Sequence, residues 1–333
     1  AINSGPLKQW LETAESSLLT TRLYDALMSQ SHSRDPRVRV IDLNARSLVG
    51  EYQGEQVVAE FVETLFVRLI GSADESDPWG ACVSCSAQSR CSAHQSVQYL
   101  RNPQDGPQIQ RRFEGLLQMV HQRGEVHITA RELRAALSYG FFGPYSCQDL
   151  HDNPDLEPKP FFHRLFDASA PGRQGELLEE VAWLDPAIEI EPAIDRQLLR
   201  QGQPLDYLRR QAYFFEKDEG LIPRLHQGKH HRDFIRLPVA TIEQRQETLK
   251  RLLNGLSRLG GLPQRAMQSS RGLSLRVPAR VDTESVFWVE KAIERFEIRV
   301  PSAPEVVPFL PTWVDLVYRN SLGNEEVLAM GLE

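Results

Sequence analysis

Lysine is scarce in this chain: six residues, at positions 8, 159, 217, 229, 250 and 291, against 32 arginines. With a net charge of −7, that excludes wholesale electrostatic wrapping of nucleic acid and leaves room only for a local basic patch. Cysteine is rarer still. Four in 333 residues exclude a disulfide scaffold, and in a reducing compartment clustered thiols point to metal instead. No apolar run approaches the roughly eighteen residues needed to cross a bilayer. The start lacks a signal-peptide pattern, so no membrane partner and a cytoplasmic location are expected. The signatures GxxxxGK[ST], GxGxxG, HExxH and GxSxG are all missing, which removes the phosphate loop, the dinucleotide fingerprint, the zinc-protease helix and the nucleophile elbow.

What is present is concentrated. Three of the four cysteines and one of nine histidines fall between Cys82 and His94, in the run Cys82-Val83-Ser84-Cys85-Ser86-Ala87-Gln88-Ser89-Arg90-Cys91-Ser92-Ala93-His94. A zinc ion takes four soft or borderline ligands in a tetrahedron, and cysteines three positions apart grip it from one tight turn. Cys82, Cys85 and Cys91 are therefore read as metal ligands, with Cys147 as the expected fourth and His94 as its rival. Ser84, Ser86, Ser89 and Ser92 bury almost nothing, so the segment needs a cross-link to be ordered. The same four cysteines are also a set for an iron–sulfur cluster. No water-activating carboxylate lies beside them, so the site is read as structural and closed.

The rest of the chain reads as α+β and mainly helical. Residues 7–30 have helical spacing with a break at Ser16-Ser17, and Arg37–Leu43 alternates as a strand. Residues 55–70 form a helix with Val57, Val58, Phe61, Val62, Leu65, Phe66 and Leu69 on its apolar face. Residues 108–122 form another, ended by Gly124. Thr129 and Glu132 have capping-box spacing before a helix that Gly143-Pro144 stops. The segment 151–160, with three prolines, is taken as a domain boundary. Helices continue to about 260, including 242–259. After 270 the period becomes two, with a hairpin turn at Ser321-Leu322-Gly323-Asn324. Gly228-Lys229-His230-His231 is read as a solvated basic loop.

The first half resembles the C-terminal part of a bacterial AAA+-type P-loop ATPase. Ala1-Ile2-Asn3-Ser4-Gly5-Pro6-Leu7 resembles the end of the core strand that carries a sensor asparagine. Val38 to Leu48 resembles the next core strand and its exit. The cysteine insertion and His127 to Leu133 resemble the lid region of large multi-domain ATPases, some found in phage-defence operons. The resemblance implies an α/β core ending over residues 1–50, a helical lid with a metal knuckle over 51–150, and a mixed helical then β-rich domain over 151–333. It further implies that Asn3 orients the attacking water, that Arg131 and Arg134 contact nucleotide phosphates, and that Arg46 is an interface finger or a strand-exit ion pair. The opening residues, without an initiator methionine, read as belonging to a longer polypeptide, where ATP and Mg²⁺ would bind.

Two expectations of function follow. One is a lid or regulatory segment coupling nucleotide state to recognition of nucleic acid or protein, in a possible homo-oligomer. The alternative is a non-enzymatic, zinc-stabilised module that binds protein or nucleic acid, with Arg209, Arg210, Arg224, Arg232 and Arg236 offered to phosphate or acidic partners. An iron–sulfur nuclease is disfavoured, since no paired carboxylates with a lysine are evident.

Overall fold

Residues 14–17 separate the first two helices. Ser17 Oγ accepts the amide of Thr20 at 3.1 Å and Thr20 Oγ1 accepts that of Ser17 at 2.7 Å, a reciprocal cap that starts a second helix. Helices α1 (Ser4–Thr13) and α2 (Leu18–Met28) result. The computed structural model describes residues 4–28, 46–71, 77–169, 172, 175–259, 273–276, 288–291, 295–301, 307–320 and 322–331. The chain divides into two units, Ala1–Arg46 with Pro304–Val307, and Ser47–Ala303 with Pro308–Glu333. Helices α1 and α2 belong to the first. The expected strand over 37–43 lies outside the described residues.

The second unit is mixed α and β, mainly helical. It opens with an antiparallel hairpin, β1 (Glu51–Gln53) and β2 (Gln56–Val58), turning at Gly54 with φ 64°. Helix α3 then runs Glu60–Ile70. The helix expected from residue 55 is thus corrected: Val57 and Val58 belong to the hairpin, and the helical apolar face is Phe61, Val62, Leu65, Phe66 and Leu69. Helices α4 (Ser92–Arg101), α5 (Gly106–Arg123) and α6 (Ala130–Leu137) follow. Helix α5 is the central rod: Ile109, Phe113, Leu116, Leu117 and Val120 are fully buried along it. Thr129 and Glu132 make both arms of the capping box on α6.

After α6 the coil widens into a π-helix over Ser138–Phe142, which ends at Gly143 with φ 83°. Then come α7 (Cys147–Asp152), α8 (Phe161–Arg164), α9 (Glu176–Trp183), α10 (Pro192–Leu198) and α11 (Leu205–Phe215). Helices α12 (His231–Arg236) and α13 (Ile242–Leu259) complete the helical region. The proline-rich segment 151–160 does not divide the core. Phe161 and Phe162 beyond it pack in the same cluster as Phe66, Phe113 and Phe141 before it. Phe141 stacks on Phe161 at 4.9 Å, Phe66 meets Phe141 edge-on at 5.3 Å, and Phe214 of α11 meets Phe161 at 5.1 Å. Each such pair adds about 0.5–1.5 kcal/mol beyond its burial, so the boundary is overridden by aromatic packing.

The strands after residue 270 form two antiparallel sheets. One is β3 (Leu273–Arg276) with β4 (Trp288–Lys291), and the other is β5 (Phe296–Arg299), β6 (Val314–Arg319) and β7 (Glu325–Met330) in that order. Ile298, Val314 and Leu316 pack with Phe234, Leu237 and Leu249 as a second, smaller core. The turn before β7 closes through the Gly323 amide on the Asn320 carbonyl at 3.1 Å, as expected of a hairpin there. Among the described residues, no helix is long and apolar enough to cross a membrane.

Candidate metal centre

The cysteine segment is a staircase of tight turns. The amide of Cys85 donates to the Cys82 carbonyl at 3.2 Å, that of Gln88 to Cys85 at 3.1 Å, and that of Cys91 to Gln88 at 3.2 Å. Short 3-10 helices cover Gly80–Ser84 and Gln88–Arg90. The turns step by three residues, the interval between Cys82 and Cys85 and half that between Cys85 and Cys91. The strip is held at its start. Asp77 accepts the Trp79 amide at 2.9 Å and takes both Arg101 nitrogens at 2.8 and 2.5 Å. The Arg101 guanidinium holds the Asp77 carboxyl below the usual carboxylate range. At its end Cys91 caps α4, its Sγ accepting the His94 amide at 3.5 Å.

The other wall is α7. Ser146 and Asp149 form a second capping box that starts this helix with Cys147 in its first position. His151 follows four residues later and so lies on the same face, one turn on. Arg90 reaches from the strip to the end of α7, donating to the carbonyls of Leu150 and, at 3.0 Å, Asn153. Cys85 Sγ then stands 3.6 Å from His151 Nε2. Burial pushes the Cys82 thiol up, and the neighbouring Cys91, Cys147 and Cys85, with Asp77, push it the same way. All four cysteines therefore share one electrostatic neighbourhood. Their donors suit a thiophilic cation, which would neutralise the crowding that raises Cys82. Among the described residues no three histidine, cysteine or acidic groups yet converge closely enough to hold one ion.

A buried cation supports the strip from behind. Arg164 of α8 is 3% exposed. Its Nη1 donates to Ser92 Oγ at 2.8 Å and to the Lys159 carbonyl, while Nη2 donates to the carbonyls of Gly140 and Phe141 at 3.0 and 2.9 Å. Burial pulls this guanidinium down to about 10, against the opposing pull of Tyr139, Cys91 and Tyr145. Arg164 thus joins the π-helix to the residue next to Cys91.

Of the residues expected from sequence, Cys85, Cys91 and Cys147 are near enough to Cys82 to raise its thiol, without the four closing on one point. The His94 ring is turned to Gln88 and Gln98, each at 3.3 Å from its Nε2, so it serves the strip through its backbone amide. Arg131 and Arg134 are exposed on α6, Arg46 is exposed, and Asn3 lies outside the described residues. Lys229 and His230 are exposed, but residues 228–230 form a short 3-10 helix that leads into α12 and His231 is half-buried, which corrects the solvated-loop reading. Arg209 and Arg210 are corrected. Arg209 is buried, with Nε and Nη2 on Asp195 at 2.7 and 2.6 Å, and Arg210 Nη2 bonds Asp185 at 2.6 Å. Neither faces a partner, because each is consumed by an acid of its own fold. Arg224 lies against Glu191 at 3.8 Å.

His151, Arg90 and Arg164 were missed from sequence. Only His151 left a signal, the Cys147-x3-His151 spacing that one helical face requires. No protein-family model, no curated protein and no solved structure matches this chain.

Proposed function

We propose that this chain is a zinc-stabilised recognition module whose helical body meets a protein partner. The carrying observation is the approach of Cys85 to α7, its Sγ 3.6 Å from His151 Nε2, together with the Cys82, Cys85 and Cys91 spacing of the strip. A serine-rich strip with little apolar burial gains its order from a cross-link, and a structural zinc supplies one. The nearby imidazole suits borderline zinc better than an all-thiolate iron–sulfur cluster. A protein partner is favoured over nucleic acid because arginines are spent internally: Arg209 on Asp195, Arg210 on Asp185, Arg101 on Asp77, and Arg299 and Arg319 on Glu325. The net charge of −7 adds to this. The test is titration with duplex DNA, single-stranded DNA and RNA at about 50 mM salt. No salt-dependent binding is expected. Binding tighter than about 10 µM with a steep salt slope would turn the reading to nucleic acid.

A second reading, a regulatory lid of an AAA+-like ATPase, draws on Arg131 and Arg134, exposed on a helix that begins with a full capping box. Exposed guanidinium groups there suit contact with phosphate supplied by another domain. On this reading the chain alone neither binds ATP tightly nor turns it over, since the phosphate-loop lysine and amides are not among its motifs. Turnover at ordinary enzyme rates by the purified chain would overturn it.

A further inference from the structure

Strand β7 is an open edge of its sheet. Among the described residues it pairs with β6 alone, and Glu325 to Ala329 are all exposed. Its register on β6 runs one to one from Arg319↔Glu325 to Val314↔Met330, without a bulge. The turn sets the phase of the hydrogen bonds. The Asn320 amide donates to the Asn324 carbonyl at 3.0 Å, and bonded pairs recur at every second residue of an antiparallel ladder. Glu326, Leu328 and Met330 therefore bond inward to Tyr318, Leu316 and Val314. The N–H and C=O groups of Glu325, Val327 and Ala329 point away from β6, into the open edge. Edge strands are commonly blunted by lysine, proline, a bulge or a covering helix. Residues 325–330 contain neither lysine nor proline, and α13 packs on the opposite edge strand, β5. Val327 and Leu328, on opposite faces of the strand, are 57% and 62% exposed.

The charge pattern of the strand selects its occupant. Both acids stand at the start of β7, and its middle and end are apolar. A second copy of β7, laid antiparallel and centred on Val327, sets Val327 opposite Val327, Glu325 opposite Ala329 and Glu326 opposite Leu328. Every outward group is then bonded, in about six hydrogen bonds. The valines meet on one face, and on the other Leu328 lies diagonal to Leu328 of the second copy. The glutamates fall at the rim, and none opposes another. Parallel pairing would set glutamate against glutamate, which is destabilising. We propose that this chain forms a homodimer through antiparallel pairing of β7 with β7 of a second copy, joining the two three-stranded sheets into one. The proposal does not depend on the zinc reading. A seam of one strand from each copy lies below the roughly 1,200 Å² at which stable interfaces begin, so the dimer is reversible.

The test is sedimentation equilibrium of the whole purified chain from about 5 µM to about 500 µM, the range of a weak dimer. A monomer–dimer equilibrium is expected within it. Val327→Pro removes only an outward N–H, so the ladder with β6 survives and the chain should stay monomeric. Val327→Lys and Val327→Glu should each be monomeric as well, because position 327 faces its own copy. Mixing these two should restore a dimer, which also shows that both are folded. In hydrogen exchange the amides of Glu325, Val327 and Ala329 should be protected in the dimer and open on dilution. Those of Glu326, Leu328 and Met330 should be protected in both states. A wild type that is monomeric throughout, or a dimer undiminished by Val327→Pro and Val327→Lys, overturns the proposal. Protection of the outward amides in the monomer would give the edge to another segment of the same chain and overturns it too.

Discussion

Replacing Arg164 by methionine keeps most of the side-chain volume and removes the charge and its fork of donors. Four acceptors then lose a partner: Ser92 Oγ and the carbonyls of Lys159, Gly140 and Phe141. Two of these carbonyls belong to the π-helix, and an unsatisfied buried acceptor costs about 1–3 kcal/mol. Methionine no longer has to bury a guanidinium, which offsets some of that cost. With four acceptors affected, a net loss of about 3–5 kcal/mol remains after that offset. For a chain of 333 residues that corresponds to a fall of about 4–7 °C in Tm, read by thermal unfolding of the zinc-loaded protein. Arg164→Lys should recover little, because an ammonium cannot reach acceptors on two sides at once. The same variants should give up zinc to a chelator faster, since Ser92 next to Cys91 is no longer held. A Tm within about 2 °C of wild type for Arg164→Met would refute the reasoning that this residue ties π-helix to metal strip.

Phe161→Ala should cost about 3–5 kcal/mol, measured by urea unfolding, because the ring is fully buried among Phe141, Phe162 and Phe214. Gly140→Ala should cost about 1–3 kcal/mol in the same assay, as its Cβ would come within 2.5 Å of the Leu165 side chain. Asp195→Asn should destabilise by about 3–5 kcal/mol by leaving the buried Arg209 charge uncompensated, and a neutral result would contradict the structural role given to that arginine. His121 is held below its ordinary value by burial, so the unfolded chain takes up a proton near about pH 6.5 that the folded chain resists. Stability from this group is complete above that pH and is lost as pH falls below it. His163 shifts in the same direction, through burial and then the charges of Arg210 and Lys159. Between about pH 6.5 and pH 5, the Tm of His121→Gln should therefore fall less steeply than that of wild type.

The elements legible in the sequence are those whose ends carry their own chemistry. The break at Ser16-Ser17, Thr129 with Glu132, and Gly124 after α5 are local signals, and each helix boundary they imply is found. Residues 242–259 were likewise readable, because one apolar stripe runs their length. The hairpin over 51–58 was not, since Val57 and Val58 continue the apolar spacing of α3 and only Gly54 marks a turn. The false boundary at 151–160 has the same origin. Three prolines are visible in sequence, whereas the packing of Phe161 on Phe141 is not. Arg209 and Arg210 read as free cations because their acids lie 14 and 25 residues away. At the metal centre, the three-residue steps of the strip are local and were read. The approach of α7, through Arg90 and His151, joins segments about sixty residues apart and depends on the tertiary fold.

Elemental analysis of the purified chain, with thiol titration before and after chelation, tests the central claim most directly. One zinc per chain is expected in a colourless protein, with Cys82, Cys85 and Cys91 unreactive until the metal is removed. A chain free of metal with four reactive thiols would contradict the account, as would a brown protein carrying iron.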